Sequence, residues 1–450
     1  MAPTEALHVL VITFNCAREL LQPDLFARRL SQALPDSQRP DIVLLSLQEI
    51  APIAYSFLGG SYLASYFQPF HHAVHLAGKA LGEAEYVHLI TRNVGMTACM
   101  VFILEEHGAN IQWVETGGVG VGLQEMGNKG AVGLRLGYAV PDSDDTLELT
   151  FVAAHLAPME EALQRRNQDW KTIVRGLVFT PDTRKDIIKS TKPQPAARDE
   201  SEPLLANDTG RNPRGLYNPT SHLILAGDLN YRTSRTKPTA GTHAVFPQLD
   251  TGRQEDNNGD FSSLLHADQL SHELKAGRTC HGLSEAPIHF PPTYKYSKKA
   301  QLRAAKEDSM TTWDWAKHRW PSWCDRILYL DLPAWMRSDL LPGGGIEVDQ
   351  YTALPLLPTS DHRPVILAMR IPLKAIPALE EEDRGEGDLR TKPPFDIDPR
   401  WKERRQWARR KEVGVGILAY LFLTWEGRSI ALALMIGALL GWLVVSGVLG

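Results

Sequence analysis

The stretch Leu-Ile-Leu-Ala-Gly-Asp-Leu-Asn at residues 223–230 contains the pattern that decides the fold. Four consecutive apolar residues are followed by Gly227 and then by two side chains that carry oxygen donors, Asp228 and Asn230. An apolar run without alternation is typical of a strand that is covered on both faces. The stretch therefore predicts a buried strand whose end presents polar side chains.

Apolar runs of similar length recur along the chain and predict further buried strands. The predicted strands are residues 9–14, 42–47, 99–104, 149–153, 223–226, 327–330 and 365–371. Patterns of helical periodicity lie between several of them, as at residues 25–34 and 160–178. Strands interleaved with helices predict an α/β fold built from layers of sheet and helix.

Polar residues stand at the points where these predicted strands end or begin. Those after strands are Asn15, Gln48-Glu49, His155, Asp228 and Asn230, and those before strands are Trp323-Cys-Asp325-Arg326 and Ser360-Asp361-His362. Because α/β folds bind ligands at strand ends, we expect these side chains to converge on one edge of a sheet. Carboxylate, amide and imidazole donors without cysteine suit a hard cation such as Mg²⁺.

Composition limits the classes of protein to which the chain can belong. The 450 residues are 43% apolar and 22% charged, which excludes global disorder and a polytopic membrane protein. The net charge is −5; from residue 400 onward eight Lys and Arg stand against three Asp and Glu, which leaves −10 for residues 1–399. A mildly acidic body argues against nucleic acid as a partner, since that binding needs a positive surface.

Two segments of low apolar content divide the chain. Residues 181–219 are rich in Pro, Asn and charged residues and predict a disordered surface insertion. Residues 378–399 are acidic and then rich in Pro, which is typical of a linker. The predicted units are a main domain at 1–372, a linker at 373–399, a basic segment at 400–412 and a hydrophobic region at 413–450.

The C-terminal region predicts a membrane anchor. Residues 430–450 carry no charge, and about 21 residues match a hydrocarbon core of about 30 Å. The shorter apolar stretch at 413–425 fits either an interfacial segment before one span or one arm of a hairpin. Seven basic residues and two tryptophans at 400–411 predict that the main domain faces the cytosol. A buried amphipathic helix is disfavoured, because residues 430–450 are apolar on all faces.

Eight short motifs carry a family resemblance. They are Thr13-Phe-Asn-Cys16, Leu47-Gln-Glu49, Met126-Gly-Asn-Lys-Gly130, Ala154-His-Leu156, Gly227-Asp-Leu-Asn-Tyr-Arg232, Pro292-Thr-Tyr-Lys-Tyr296, Pro321-Ser-Trp-Cys-Asp-Arg-Ile-Leu328 and Ser360-Asp-His-Arg-Pro-Val365. In this order they resemble the signature blocks of the inositol polyphosphate 5-phosphatases, which belong to the Mg²⁺-dependent endonuclease/exonuclease/phosphatase superfamily. The resemblance covers residues 9 to about 371 and implies a four-layer α/β/β/α sandwich.

The resemblance also implies roles for individual residues. Three would bind Mg²⁺: Glu49, Asn15 and Asp361. Five would act in catalysis: Asp228 and Asn230 on the attacking water, Asp325 as the partner that orients His362, and His362 and His155 on the phosphoryl group. Seven would bind substrate: Asn128, Lys129, Tyr294, Lys295, Lys317, Arg319 and Arg326. Among these, Tyr294, Lys295, Lys317 and Arg319 match the family residues that grip a 4-phosphate.

We therefore expect a Mg²⁺-dependent hydrolase that converts phosphatidylinositol 4,5-bisphosphate into the 4-phosphate. With its apolar C-terminus the chain is most similar to the tail-anchored fungal members, so we expect it on the endoplasmic reticulum membrane. We also expect a monomer. Two alternatives remain. A neutral sphingomyelinase-like phosphodiesterase is disfavoured by the 292–296 motif and by Lys317 and Arg319. A non-catalytic phosphoinositide-binding tether is disfavoured because the implied catalytic residues are all present.

Overall fold

The computed structural model describes residues 6–34, 39–182, 214–248, 261–306, 313–337, 345–378 and 388–449. Thirteen strands and ten α-helices lie in these ranges. The strands are β1 (Ala6–Asn15), β2 (Ile42–Gln48), β3 (Tyr86–Val94), β4 (Thr97–Leu104), β5 (Ile111–Gly120), β6 (Gly130–Ala139), β7 (Thr146–His155), β8 (Thr180–Pro181), β9 (Ser221–Asp228), β10 (Leu283–Ser284), β11 (Asp325–Leu330), β12 (Glu347–Ala353) and β13 (Val365–Pro372). The helices are α1 (Pro23–Ala33), α2 (Ile53–Leu58), α3 (Ala64–Ala80), α4 (Leu163–Gly176), α5 (Ser262–His266), α6 (Gln269–Lys275), α7 (Lys298–Ala304), α8 (Ala334–Arg337), α9 (Trp401–Leu423) and α10 (Trp425–Leu449).

The strands form two sheets. One has six strands in the order β12-β13-β1-β2-β4-β3, and the other has seven in the order β10-β11-β9-β7-β6-β5-β8. The pairs β1–β2 and β7–β9 are parallel, and the other neighbouring strands are antiparallel. All seven predicted strands are present, and each lies in the interior of its sheet. This position explains why their sequences are apolar at every residue.

The two sheets pack face to face, with helices on both outer sides. Side chains from both sheets fill the central layer, among them Val11, Leu44, Leu134 and Phe151. The outer face of the six-stranded sheet is covered by α1 and α3 through residues such as Phe26 and Phe70. The outer face of the seven-stranded sheet is covered by α4 through Trp170 and Ile173. The predicted four-layer sandwich is confirmed.

One edge of the sandwich collects the polar strand ends. Asn15 pairs with Gln48 where β1 and β2 end, and His155 pairs with Asp228 where β7 and β9 end. The antiparallel strand β11 begins at this edge, with Asp325 opposite Asp228. Parallel strands share an edge at their carboxyl ends, so this register produces the convergence expected from the sequence.

The segment predicted as a linker at 373–399 is only partly a connection. Residues 379–387 lie outside the described ranges, but from residue 388 onward the chain packs on the seven-stranded sheet. Arg390 is buried and donates hydrogen bonds to the carbonyl oxygens of Leu330 and Asp331. Phe395 packs against the ring of His281 at 5.3 Å. Most of the predicted insertion at 181–219 falls outside the described residues, which omit 183–213.

The C-terminal helices have boundaries that differ from those predicted. The basic segment at 400–412 and the apolar stretch after it form one helix, α9, and Thr424 separates this helix from α10. Within α10, Trp425–Gly447 is 23 residues long, is unburied, and is long and apolar enough to cross a membrane. This candidate span begins five residues before the uncharged stretch predicted at 430–450, because Glu426 and Arg428 lie in the first turns of the same helix.

The helix α9 packs against the domain, on α2. A Cβ atom at Gly416 would lie 3.0 Å from the Cβ of Phe57, so this glycine permits the close approach of the two helices. Arg409 donates hydrogen bonds to the carbonyl oxygens of Phe57 and Leu58. The basic segment predicted at 400–412 is therefore docked on the domain along much of its length.

Candidate active site

Asp228 occupies the centre of the polar edge. Its buried carboxylate accepts hydrogen bonds from Asn15 Nδ2 at 2.9 Å and from the Asn230 N–H at 3.1 Å. His155 Nε2 lies 3.2 Å from the same carboxylate. Burial alone raises the pKa of Asp228, but His155 and His362 outweigh this effect and hold the pKa well below its usual range. Asp228 is therefore ionised at neutral pH.

His362 and Asp325 form a buried pair next to Asp228. Nδ1 of His362 lies 2.9 Å from Asp325 Oδ2, which also accepts a hydrogen bond from the Thr293 hydroxyl at 2.7 Å. Burial lowers the pKa of His362, but Asp325 and Asp228 raise it to about 9. The imidazole is therefore protonated at neutral pH. Because Nδ1 faces Asp325, Nε2 is the nitrogen that remains to donate to a ligand.

Glu49 lies among cationic side chains at the end of β2. Its backbone φ is 47°, a left-handed conformation that is uncommon for a residue with a side chain and recurs at functional sites. Arg18 Nε lies 3.1 Å and Lys129 Nζ 3.4 Å from its carboxylate. Burial alone raises the pKa of Glu49, but Lys129 and His155 outweigh it and lower the pKa. This carboxylate is ionised as well.

The residues 122–129, which we call the Asn128 loop, bring Asn128 and Lys129 to the site. Lys129 Nζ reaches His155 Nε2 at 2.5 Å. Burial and the charge of Lys129 lower the pKa of His155. Asn128 Oδ1 is buried and has no hydrogen-bond partner among the residues that the structure describes. A buried oxygen without a partner is costly, which fits a side chain that meets a ligand.

Tyr294 and Lys295 lie on the His362 side of the site. Lys295 forms an ion pair with Asp361. Burial alone raises the pKa of Asp361, but the charges of His362 and Lys295 outweigh this effect and lower the pKa. The Tyr294 ring lies 4.5 Å from the His362 ring, and the Arg232 guanidinium lies 4.4 Å from the centre of the Tyr294 ring. These contacts fix Tyr294 between two positively charged groups.

A cavity of about 790 Å³ opens beside Asp361 and is lined by Lys295 and Lys317. This volume is in the range of pockets that bind small molecules. Arg319 does not line this cavity in the described part of the chain. Its guanidinium lies 3.5 Å from the buried carboxylate of Glu160. The structure thus joins two of the three predicted 4-phosphate cations in one cavity.

Arg326 is placed away from the site, and its prediction as a substrate-binding residue is corrected. Its side chain is fully buried, and the guanidinium donates to Asp268 at 3.0 Å and forms an ion pair with Glu285. Side chains alternate along a strand, so Arg326 in β11 points to the opposite face from Asp325. Two carboxylates already neutralise it, which gives Arg326 a structural role.

The geometry of the polar edge agrees with a comparison of the sequence against protein families. The sequence model of the endonuclease/exonuclease/phosphatase family 2 matches residues 12–368, which include every predicted site residue. The chain belongs to endonuclease/exonuclease/phosphatase family 2. The match ends before α9, so the C-terminal helices lie outside the part that defines the family.

Relatives within family 2 include two fungal phosphatases. The chain is 28% identical to polyphosphatidylinositol phosphatase INP53 of Saccharomyces cerevisiae, over 74% of this chain and 24% of the relative. It is 31% identical to inositol-1,4,5-trisphosphate 5-phosphatase 1 of Schizosaccharomyces pombe, over 64% of this chain and 20% of the relative. The matched region thus spans a quarter or less of the length of each of these relatives.

A solved structure has the same fold. It is the inositol polyphosphate 5-phosphatase domain of a synaptojanin in complex with inositol (1,4)-bisphosphate and a calcium ion. The identity is 22% and the TM-score is 0.55, over 91% of this chain and 90% of that chain. Because the two sequences are only 22% identical, this similarity supports the fold of the described residues and nothing beyond the fold.

The predicted metal ligands at the polar edge carry the oxygen donors that a hard divalent cation requires. Glu49 and Asp361 are ionised carboxylates, each now neutralised by a lysine, Lys129 or Lys295. The Asn15 oxygen accepts a hydrogen bond from the Ala17 N–H at 3.0 Å, and a carbonyl oxygen has a second lone pair. Among the described residues, a different group, formed by Asp228, Asp325 and His362, has ligand atoms within 4.8 Å of one another. The oxygen donors of Glu49, Asn15 and Asp361 suit a divalent cation, whereas His362, which is protonated and paired with Asp325, has no free lone pair for a metal.

Three residues contact the predicted site residues but were not themselves predicted to belong to the site: Arg18, Arg232 and Thr293. Arg232 donates to the Asn230 side chain and Thr293 to Asp325, so both support predicted catalytic residues. Both belong to motifs quoted from the sequence, which was the available signal. Arg18 follows the first motif by two residues and carried no signal, because its contact with Glu49 depends on the left-handed backbone of both residues.

Proposed function

We propose that this chain is a Mg²⁺-dependent phosphoinositide 5-phosphatase that converts phosphatidylinositol 4,5-bisphosphate into phosphatidylinositol 4-phosphate. The observation that carries the proposal is an ionised Asp228 next to a protonated His362 that Asp325 orients. Hydrolysis of a phosphomonoester requires an oriented water and groups that neutralise charge on the phosphoryl oxygens. The names of the fungal relatives, both inositide phosphatases, support the same class of reaction.

The attacking water would be oriented by Asp228. Two donors, Asn15 and the Asn230 N–H, and the nearby ring of His155 fix this carboxylate. Its low pKa keeps Asp228 ionised, so that it accepts hydrogen bonds at neutral pH, but also makes it a weak base. Orientation of the water is therefore its main contribution, and the Asn230 side chain stays beside it through a hydrogen bond to the Leu156 carbonyl at 3.1 Å.

The phosphoryl group would be stabilised by charge from several directions. His362 donates from Nε2 to a phosphoryl oxygen, and its pairing with Asp325 keeps it protonated as charge develops. Lys129 and Asn128 donate from the Asn128 loop. When bound by Glu49, Asn15 and Asp361, Mg²⁺ would neutralise phosphate charge and lower the pKa of a bound water.

Choice of the 5-position would come from binding of the neighbouring 4-phosphate. Lys295 and Lys317 line one cavity, and the ring of Tyr294, the residue before Lys295, lies 4.5 Å from the ring of His362. A second anionic group held in this cavity would fix the ring so that the 5-phosphate meets Asp228 and His362. Arg319, held by Glu160, would join the 4-phosphate contacts from the border of the cavity.

The C-terminal region would hold the enzyme on a membrane. The apolar helix α10 is long enough to span, and the basic residues of α9 precede it directly. Basic residues stay on the cytosolic side, so the catalytic domain would face the cytosol, and the endoplasmic reticulum is the proposed membrane. We propose that the protein acts there as a monomer and without nucleic acid as a partner.

Release of phosphate from vesicles tests the proposal. The full chain is incubated with Mg²⁺ and vesicles that contain phosphatidylinositol 4,5-bisphosphate or sphingomyelin, and Asp228→Asn serves as the inactive control. We expect phosphate from the phosphoinositide vesicles alone and loss of activity in the control. Phosphocholine from sphingomyelin would favour a phosphodiesterase, and binding of the phosphoinositide without turnover would favour a tether.

A further inference from the structure

The helix α9 contacts the Asn128 loop, which carries two of the proposed phosphate-binding side chains. The carboxylate of Glu412 accepts a hydrogen bond from the Gly127 N–H at 2.9 Å. Arg404, at the other end of the same contact, forms an ion pair with Glu125. The loop is therefore held by a helix that lies outside the region matched by the family, at two points along its length.

The carboxylate of Glu412 is buried between α9 and the domain rather than exposed at the surface. Its side chain is fully buried, and Arg405 lies 2.7 Å and Arg409 3.4 Å from its oxygens. Arg409 is itself fixed by the carbonyl oxygens of Phe57 and Leu58. A buried carboxylate is retained only where it is paired and hydrogen-bonded, and here one of its partners is the loop backbone.

The Asn128 loop has little freedom at Gly127. Its carbonyl oxygen accepts a hydrogen bond from the Met96 N–H at 2.9 Å, on the side opposite to its own N–H. A Cβ atom at Gly127 would lie 2.8 Å from the Gly95 nitrogen, so the loop packs on the β3–β4 turn without space. The peptide next to Asn128 is thus fixed between that turn and Glu412.

The far end of α9 also reaches the site. Leu423, its last residue, lines a cavity together with Glu49, Asn128 and Lys129. The apolar helix α10 begins two residues later. The helix that leads to the proposed membrane anchor therefore runs from the loop backbone to a cavity that Glu49, Asn128 and Lys129 also line.

We propose that Glu412 is a positioning residue, which holds the Asn128 loop through Gly127 so that Asn128 and Lys129 point at the phosphate. The inference rests on the proposed phosphatase function and extends it, because it makes α9 a part of the active-site wall. Hydrolysis of a soluble head group, which needs no membrane, then also depends on the C-terminal helix.

Variants of Glu412 separate the effect of its side-chain length from the effect of its charge. Glu412→Ala removes the acceptor, Glu412→Asp keeps the charge but shortens the side chain, and Glu412→Gln keeps an acceptor at full length. Glu403→Ala and Glu403→Gln are matched controls, since Glu403 is an exposed residue of the same helix. The full chain is assayed in detergent on soluble inositol 1,4,5-trisphosphate, and the affinity for inorganic phosphate with Mg²⁺ is measured by calorimetry.

We expect kcat/KM and phosphate affinity to fall about tenfold in Glu412→Ala and Glu412→Asp, to stay within about threefold in Glu412→Gln, and to stay unchanged in the Glu403 variants. Wild-type phosphate affinity in Glu412→Asp, or equal losses in Glu412→Gln and Glu412→Ala, would overturn the proposal. Glu412→Asp decides the question if Glu412→Ala does not fold. An inactive wild-type protein would refute the proposed function instead, and phosphate affinity would still test Glu412.

Discussion

At the scale of single residues, the site is a set of paired charges. His362 pairs with Asp325, Lys129 with Glu49, and Lys295 with Asp361. Each lysine sits on a carboxylate that is also a predicted metal ligand. A phosphate and a divalent cation that arrive together would exchange these pairs, with the lysines passing to the phosphate and the carboxylates to the cation. The charge of the site would then stay balanced during binding.

The pH profile should report the His362–Asp325 pair. A pKa raised to about 9 means that the imidazolium is fully present at neutral pH and is lost as the pH rises through about 9. We therefore expect kcat/KM to decline above that pH. Asp325→Asn removes the largest favourable influence on the charged ring, so the alkaline limb should move to lower pH and kcat/KM at pH 7 should fall by about 10²-fold or more. An alkaline limb that does not move in Asp325→Asn would contradict the assigned pairing.

Lys317 tests the 4-phosphate cavity with less disturbance than Lys295, which is bound to Asp361. Lys317 is exposed and lines the cavity. A hydrogen bond to a charged group contributes about 1.5–3 kcal/mol, so Lys317→Ala should lower kcat/KM for a 4,5-bisphosphate by about 10–100-fold. Hydrolysis of p-nitrophenyl phosphate should change little. Lys79→Ala, an exposed lysine of α3, is the control, and equal losses on both substrates would argue against the cavity.

At the scale of secondary-structure elements, the features that could be predicted are those that short stretches of sequence determine. The interior strands are apolar throughout and end in polar residues, so their position and the convergence of Asn15, His155 and Asp228 were predictable. The docking of α9 was not, because Gly127 and Glu412 are 285 residues apart. A basic, amphiphilic segment before an apolar one is also what a free juxtamembrane segment looks like. Arg326 was misassigned because its motif neighbour Asp325 faces the site, whereas the next residue of a strand faces away.

The element that contains Arg326 gives a stability prediction. Arg326 links β11 to Asp268, which precedes α6, and to Glu285, which follows β10. Arg326→Ala leaves two carboxylates buried without their partner, so we expect the free energy of unfolding in urea to fall by about 3–5 kcal/mol. Arg39→Ala, which breaks an exposed pair with Glu106, should change it little. Unchanged stability with a selective loss of substrate affinity would restore Arg326 as a substrate-binding residue.

At the scale of the whole molecule, an acidic body is joined to a basic and apolar C-terminal region. The charge of −10 in residues 1–399 would repel an anionic membrane, and the excess of basic residues beyond residue 400 opposes this repulsion. Two of those arginines are engaged with the domain: Arg404 forms an ion pair with Glu125, and Arg409 donates hydrogen bonds to the carbonyl oxygens of Phe57 and Leu58. They therefore hold α9 on the domain.

Truncation separates the roles of the two C-terminal helices. A chain that ends at residue 424 keeps α9 and should retain most of its activity on soluble inositol 1,4,5-trisphosphate while losing activity on vesicles. A chain that ends at residue 399 lacks α9 and should lose about tenfold or more on the soluble substrate as well. Thermal unfolding of both chains is the control for folding. Full soluble activity in the shorter chain would show that α9 only connects the domain to α10.

The identity of the phosphate that leaves tests the central claim most directly. The full chain is incubated with Mg²⁺ and phosphatidylinositol 4,5-bisphosphate vesicles, and the monophosphate product is resolved by position with chromatography and mass spectrometry. The arrangement of Lys295 and Lys317 beside the Asp228–His362 site predicts phosphatidylinositol 4-phosphate as the sole product. Phosphatidylinositol 5-phosphate, a mixture of the two, or no phosphate release would contradict it.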